Sequence, residues 1–138
     1  MANTNTLTTL VAGKNEVVIH LAMFSDGTEE TDLVIYDSSA VATTLGLTDS
    51  LNCSILEIHS AISSNTAATT TPQMRLEFDA TTDVMAWSLP VGQGHYNFRK
   101  IGGLKNTSGT GITGDITLTS VALQASDNMS LVLIVRPY

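Results

Sequence analysis

Apolar and polar residues alternate along several short segments of the chain, the pattern of β-strands whose two faces differ. The clearest case covers residues 74–80, where apolar side chains alternate with Arg75, Glu77 and Asp79. One face of such a strand lies in the core of an antiparallel sheet and the other faces water. The alternation therefore predicts a one-sided strand here.

Two other segments, residues 16–24 and 129–136, are apolar at both alternating sets of positions. Strands of this kind are buried on both faces, so we expect them in the interior of a sheet. Residues 32–36 follow an Asp26-Gly27 turn signal, and we expect them to pair with 16–24 as a hairpin. Three more predicted strands cover residues 52–62, 83–89 and 115–123.

Helix signals are concentrated in residues 38–46. Ser38 or Ser39 could cap a short helix there, and Gly46 could end it. The β-branched residues within the segment lower its helix propensity, so a short helix and an irregular loop both stay open. Residues 92–111 are rich in glycine and are expected to be largely loop.

Seven or eight strands, long loops and at most one short helix predict an all-β fold, namely an antiparallel β-sandwich of jelly-roll or Greek-key type. The 138 residues fit one domain, which we place at residues 14–138. Residues 1–13 form a polar N-terminal arm or a first edge strand. Because the arm holds few large apolar side chains, we expect it to become ordered on a neighbouring molecule.

Charge and composition exclude several classes of protein. Charged residues are 14% of the chain, Thr and Ser together number 33, and the net charge is −7. A coiled coil needs more charge, and a nucleic-acid partner would be repelled because no basic run is present. No apolar run approaches the roughly 18 residues of a membrane-spanning helix. Residues 1–10 lack the features of a signal peptide, so we expect synthesis in a cytoplasm.

No arrangement of residues supports catalysis or a cofactor. The Gly-rich stretch from Gly109 to Gly114 precedes a strand, whereas a dinucleotide site would require a helix after it. His20, His59 and His95 are scattered and lack the paired spacing of metal ligands. We therefore expect a protein that is not an enzyme and holds no cofactor.

Four acidic residues lie close together around the predicted turn: Asp26, Glu29, Glu30 and Asp32. Oxygen ligands on a tight loop suit a hard cation such as Ca²⁺, although the spacing does not match an EF-hand. They are weak candidates for a metal site, and a solvated loop is the simpler interpretation. Candidate contact residues for a partner are Thr4, Thr6, Leu7, Leu10 and Val11 in the arm, and Trp87.

The second half of the chain, residues 74–136, resembles structural proteins of marine tailed bacteriophages. The residues that carry the resemblance are 75–84, Phe98 with 102–104, 114–119 and the final strand 131–136. Several such proteins resemble capsid decoration (cement) proteins, which sit on the outside of the phage head. The resemblance implies no catalytic residues.

This resemblance implies a virion structural protein that binds the outer surface of the head and stabilises it. The expected partners are the major capsid protein and copies of the same chain, as a homo-oligomer or as lattice neighbours. The expected location is the capsid surface, after synthesis in the host cytoplasm. A neck, tail or fibre-associated protein of the virion is the main alternative, and a carbohydrate- or cation-binding β-sandwich module is a more distant one.

Overall fold

The computed structural model describes residues 4–13, 16–26, 29–46, 52–63, 73–107, 110–121 and 125–137. Within them lie ten strands, one short α-helix and a single turn of 3₁₀ helix at Arg99–Ile101. The helix α1 covers Ser38–Thr44. The strands are β1 (Thr4–Ala12), β2 (Val17–Asp26), β3 (Leu33–Tyr36), β4 (Cys53–Ser63), β5 (Gln73–Phe78), β6 (Val84–Leu89), β7 (Gly92–Asn97), β8 (Leu104–Lys105), β9 (Ile116–Val121) and β10 (Ala125–Pro137).

The strands form two antiparallel sheets. The large sheet has the order β1-β2-β10-β4-β7, with β8 also paired to β4, and the small sheet has the order β3-β9-β5-β6. This confirms the predicted all-β antiparallel sandwich with one short helix. The strand count exceeds the prediction because β7 and β8 lie within residues 92–111, which we expected to be loop.

The core lies between the sheets and follows from the alternation within each strand. Along β2 the buried apolar residues are Val17, Ile19, Leu21 and Met23, and the residues between them are more exposed. In β10, which pairs with β2, the same face buries Met129, Leu131, Leu133 and Val135. The opposite side of the core includes Met74, Leu76, Phe78, Ile116 and Leu118 of the small sheet.

The predicted hairpin of residues 16–24 and 32–36 is wrong. β2 already has β1 on one edge and β10 on the other, so neither edge is free for β3. The chain instead crosses to the small sheet, where β3 pairs with β9. The Glu30 backbone holds the crossing segment to β9, since its N–H donates to Ser120 Oγ at 2.8 Å and its carbonyl accepts from Ser120 N at 2.9 Å.

Of the two forms expected for residues 1–13, the structure shows the edge strand. β1 pairs with β2 from Thr4 opposite Phe24 to Ala12 opposite Val17, with a bulge at Leu10. The expectation of an arm ordered by a neighbour considered the apolar side chains and the entropy cost, but not the backbone hydrogen bonds that an adjacent strand supplies. The boundary at residue 13 therefore does not separate β1 from the sheet.

The N-cap residue of helix α1 is Asp37, and neither Ser38 nor Ser39 caps it. The Asp37 carboxylate accepts from Ala40 N at 3.1 Å, as an N-cap residue does. Gly46 follows the C-cap with a φ of 73°, so the predicted end of the helix is confirmed.

Ser38 is fully buried and ties α1 to the start of β9. Its N–H donates to Asp115 Oδ1 at 2.8 Å. Its hydroxyl lies 2.8 Å from both Asp115 Oδ1 and the Thr113 carbonyl, so it can donate to either. The helix is thus held to the small sheet by hydrogen bonds as well as by its buried Val41 and Ala42.

We predict that Ser38→Ala lowers the free energy of unfolding by about 1–3 kcal/mol, because the acceptors on Thr113 and Asp115, just before β9, lose a buried donor. Urea denaturation of the purified chain measures this loss. The matched control is Thr43→Ala, since the exposed Thr43 hydroxyl bonds only back to its own helix, at the Ser39 carbonyl, among the hydrogen bonds of the described residues. The control should change stability by less than about 0.5 kcal/mol. Equal losses in both variants would contradict the role of the Ser38 contact.

Candidate functional site

The outer face of the large sheet carries a row of side chains that crosses four strands. His20 of β2 lies opposite Val132 of β10, and Val132 lies opposite His59 of β4. His59 in turn lies opposite His95 of β7. Because directly opposed residues share a face, three histidines project from one surface.

Two of these histidines meet next to a carboxylate. The rings of His59 and His95 stack with centroids 4.0 Å apart and an interplanar angle of 14°. Glu57 lies two residues before His59 on β4, hence on the same face. Its Oε1 is 3.1 Å from His95 Nε2 and 3.6 Å from His59 Nε2. We call these three residues the Glu57 cluster.

An arginine holds the other oxygen of Glu57. Arg99 Nε donates to Glu57 Oε2 at 2.7 Å, and Arg99 Nη1 donates to Glu16 Oε1 at 2.6 Å. The hydrogen bonds from Arg99 and then from His95 hold the pKa of Glu57 below its ordinary value, against the opposing effect of burial. The hydrogen bonds to Glu16 and Glu57 raise the pKa of Arg99.

A bulge at Leu56 of β4 places Arg99 beside the cluster. Along β10, Ile134 lies opposite Glu57 and Val135 lies opposite Ile55, so Leu56 is the extra residue. The Leu56 carbonyl accepts from Phe98 N at 2.8 Å, which fixes the residue before Arg99. At this point β4 also exchanges its partner β7 for β8.

Sequence reasoning missed the Glu57 cluster because His95 lies in a segment expected to be loop. Without β7, nothing along the chain brings residue 95 to residue 59. One signal was present, since Glu57 and His59 alternate on one face of a predicted strand, as two ligands on one strand would.

The four acidic residues near the turn separate in the structure. Glu29 Oε2 accepts from Ser120 Oγ at 2.7 Å, and Glu30 Oε1 accepts from Asn5 Nδ2 at 3.0 Å. Asp32 instead lies with Glu77 and Asp83 on the small sheet, their carboxylate oxygens within 4.8 Å of one another. Among the described residues, the predicted group of Asp26, Glu29, Glu30 and Asp32 is therefore not a single cluster. Exposed carboxylates commonly lie this close together without an ion, so we assign no ion to the group of Asp32, Glu77 and Asp83.

The predicted contact residues of the arm lie along β1. Thr6, Leu7 and Leu10 are exposed, with relative exposures of 46% for Leu7 and 58% for Leu10. In the backbone register, Thr4 lies opposite Phe24 and Val11 opposite Val18.

Trp87 lies where the edge strands of the two sheets meet. Its ring is 5.2 Å from that of Tyr96 and 4.9 Å from that of Phe98, centroid to centroid, and the second pair is edge-on. These contacts pack a residue of β6 against the β7 side of the large sheet. Intramolecular packing therefore uses much of the Trp87 ring.

Cys53 is buried at the start of β4. Burial, with a smaller contribution from Asp115, raises the pKa of its thiol to about 12. At neutral pH this thiol is protonated, so it is a poor nucleophile. Separately, within the described residues, neither helix has the length and apolar character needed to cross a bilayer.

The low pKa of Glu57 predicts a pH-dependent contribution to stability. A carboxylate whose pKa is lower in the folded chain stabilises it above the unfolded value, 4.5, and this contribution is lost as the pH falls through the folded value. We expect Glu57→Gln to lower the free energy of unfolding by about 1 kcal/mol at pH 7, and the difference from wild type to vanish in acid.

Urea denaturation between about pH 3 and pH 7 measures this difference. Glu77→Gln is the control. It removes the same charge, but Glu77 lies beside the carboxylates of Asp32 and Asp83, so its loss should not lower stability comparably. A Glu57→Gln deficit that persists unchanged in acid would show that its cause is packing rather than charge.

Comparison of the chain with protein-family models, with curated proteins and with solved structures found no match. The evidence on function therefore comes from the structure of this chain, in which two features bear on it. They are the Glu57 cluster on the outer face of the large sheet, and the β1 edge with exposed Leu7 and Leu10.

Proposed function

We propose that this chain is a non-enzymatic structural protein of a phage virion that binds the outer surface of the head and stabilises the shell. Its partners would be the major capsid protein and neighbouring copies of the same chain. The resemblance of residues 74–136 to phage structural proteins supports the class of protein. The antiparallel sandwich suits a structural role, because such a role needs a stable folded domain and no catalytic site.

The observation that carries the proposal is the edge formed by β1. Among the described residues, β1 pairs with β2 alone, so its other side offers backbone N–H and C=O groups to a partner strand. Proteins usually protect such edges with charge, proline or very short strands. This edge has nine residues, TNTLTTLVA, with neither charge nor proline.

The exposed leucines add an apolar component to the same edge. The bulge at Leu10 changes the direction of the strand, and bulges commonly redirect a side chain. Leu7 and Leu10 together would give a partner strand apolar contacts in addition to the backbone ladder. Each contact is modest, but many copies on one lattice add their effects through multivalency.

A neck, tail or fibre-associated role in the virion is the main alternative, since it would use the same open edge. The two roles differ in copy number. Head decoration requires on the order of hundreds of chains per particle, whereas a ring at the neck or tail requires about a dozen. Quantitative mass spectrometry of purified particles separates them.

A cation-binding module is the second alternative, and the Glu57 cluster is the observation that favours it. A carbohydrate-binding module has less support, because Trp87, Tyr96 and Phe98 contact one another instead of forming an open aromatic platform. Metal binding and head decoration are compatible in one protein.

We predict that the purified chain binds undecorated heads and raises the temperature at which they rupture, as a ligand of the assembled state must. Leu10→Lys should lower occupancy by about tenfold or more, because it places a charge at the contact edge. Ile101→Lys is the matched control, since it makes the same kind of change at an exposed residue of the 3₁₀ helix.

Both variants should melt at the wild-type temperature, because both side chains are exposed. Full occupancy by Leu10→Lys would remove β1 from the contact surface. A chain that ignores heads and instead binds isolated tails would contradict decoration and support the neck or tail role.

A further inference from the structure

We propose that Glu57, His59 and His95 form a binding site for a divalent transition-metal ion of the Zn²⁺ class. The ligand atoms would be Glu57 Oε1, His59 Nε2 and His95 Nε2. Two imidazoles and one carboxylate form a donor set that zinc and its neighbours in the first transition series prefer. A hard ion such as Ca²⁺ would instead select an all-oxygen site.

The distances between the donor atoms match the size of such an ion. With bonds of about 2.1 Å and tetrahedral angles, two ligands of one zinc lie about 3.4 Å apart. The Glu57 oxygen lies 3.1 Å from the His95 nitrogen and 3.6 Å from the His59 nitrogen. With one donor atom taken from each residue, the three lie within 4.8 Å of one another, so rotation of the side chains can bring them to one ion.

The backbone already holds the ligands in register. His59 and His95 are directly opposed on adjacent strands, and Glu57 precedes His59 on the same face. The protein therefore supplies the three ligands from two paired strands, so their backbone positions are fixed before an ion binds.

The contacts of Glu57 turn the proposed ligand atom toward the two histidines. Arg99 binds Oε2 and is itself bound by Glu16, so Oε1 faces the histidines. Partners of this kind fix the orientation of a metal-binding carboxylate, as they do in known metal sites. Arg99 would therefore be a positioning residue and not a ligand.

Metal binding requires two changes. Because His95 Nε2 donates to Glu57 Oε1 in the metal-free chain, that nitrogen must give up its proton, either to Nδ1 in the other tautomer or to solvent. The second change is a rotation of the rings. The two rings are stacked nearly parallel, and their lone pairs do not converge on one point in that arrangement. Rotation about χ2, a soft torsion, turns the nitrogens toward a shared ion. Because the histidine side chains are 43% and 55% exposed, the rings have room to turn.

The site is open on the solvent side. Its two histidines line a shallow groove together with Ala61, Gln93, Ser130 and Val132, and Glu57 lies next to that groove but is not part of its lining. The remaining coordination positions would be filled by water. An open position of this kind distinguishes the site from a closed structural zinc site with four protein ligands.

The experiment is a titration of the full chain, without a histidine tag, with Zn²⁺ and with Co²⁺. Calorimetry should give one Zn²⁺ per chain, and Co²⁺ should give the visible absorption of a site with nitrogen ligands. In NMR spectra, Zn²⁺ should shift the ring signals of His59 and His95 and leave those of His20 in place.

His59→Ala and His95→Ala should each weaken Zn²⁺ binding by about tenfold or more, and loss of the positioning residue in Arg99→Met should weaken it by about 10- to 100-fold. His20→Ala is the matched control, because His20 occupies the same row of the same face but has Ser130 Oγ at 3.0 Å as its partner. Circular dichroism confirms that each variant is folded.

The proposal is overturned if the wild-type chain binds no stoichiometric Zn²⁺, or if His20→Ala weakens binding as much as His59→Ala does. Either result is independent of whether the chain binds phage heads.

Discussion

The whole large sheet depends on the pairing of β10 with strands on both of its edges. From Asn128 to Val135, β10 is hydrogen-bonded to β2 on one side and to β4 on the other. Its alternate residues from Met129 to Val135 are buried against the small sheet. Because the two neighbouring strands come from the first half of the chain, no local segment can form this sheet alone. His20 and Ser130, which share a hydrogen bond across it, are 110 residues apart.

The central position of β10 also determines where the histidines and the β1 edge lie on the surface of the molecule. It separates β2 from β4, and so places His20 two strands away from the pair of His59 and His95. It pairs with one edge of β2, and β1 pairs with the other. Among the strands that the structure describes, β1 has no second partner. The proposed metal site on β4 and β7 and the proposed contact edge on β1 thus lie toward opposite ends of one sheet. Substitutions at one of them should therefore not disturb the other.

Features encoded by local alternation could be predicted from the sequence. The one-sided strand of residues 74–80 corresponds to β5, and the two strands that are apolar on both faces are interior strands of the large sheet. The short helix was one of two forms left open for residues 38–46, and its end at Gly46 was predicted from neighbouring residues. Its cap was not, because Asp37 and the two serines after it are all good N-cap residues and the sequence does not choose among them.

Strand partners could not be predicted, because pairing depends on which edges are free in three dimensions. β2 and β3 are adjacent in sequence and share a turn signal, but β2 has no free edge. The Glu57 cluster was hidden for a related reason. Glycine-rich composition concealed β7, where Gly94 lies opposite Ser60 and leaves the register that joins His95 to His59 intact. The choice between jelly-roll and Greek-key type stays a prediction.

Hydrogen exchange of the free chain, followed by mass spectrometry, tests the central role of β10 most directly. Backbone amides that are paired on both sides of a central strand open only with global unfolding, whereas edge strands open locally. The structure predicts that residues 129–135 exchange last, together with their partners in β2 and β4, and that β1 exchanges first among the long strands of the large sheet. Exchange of residues 129–135 as fast as that of β1 would contradict the account.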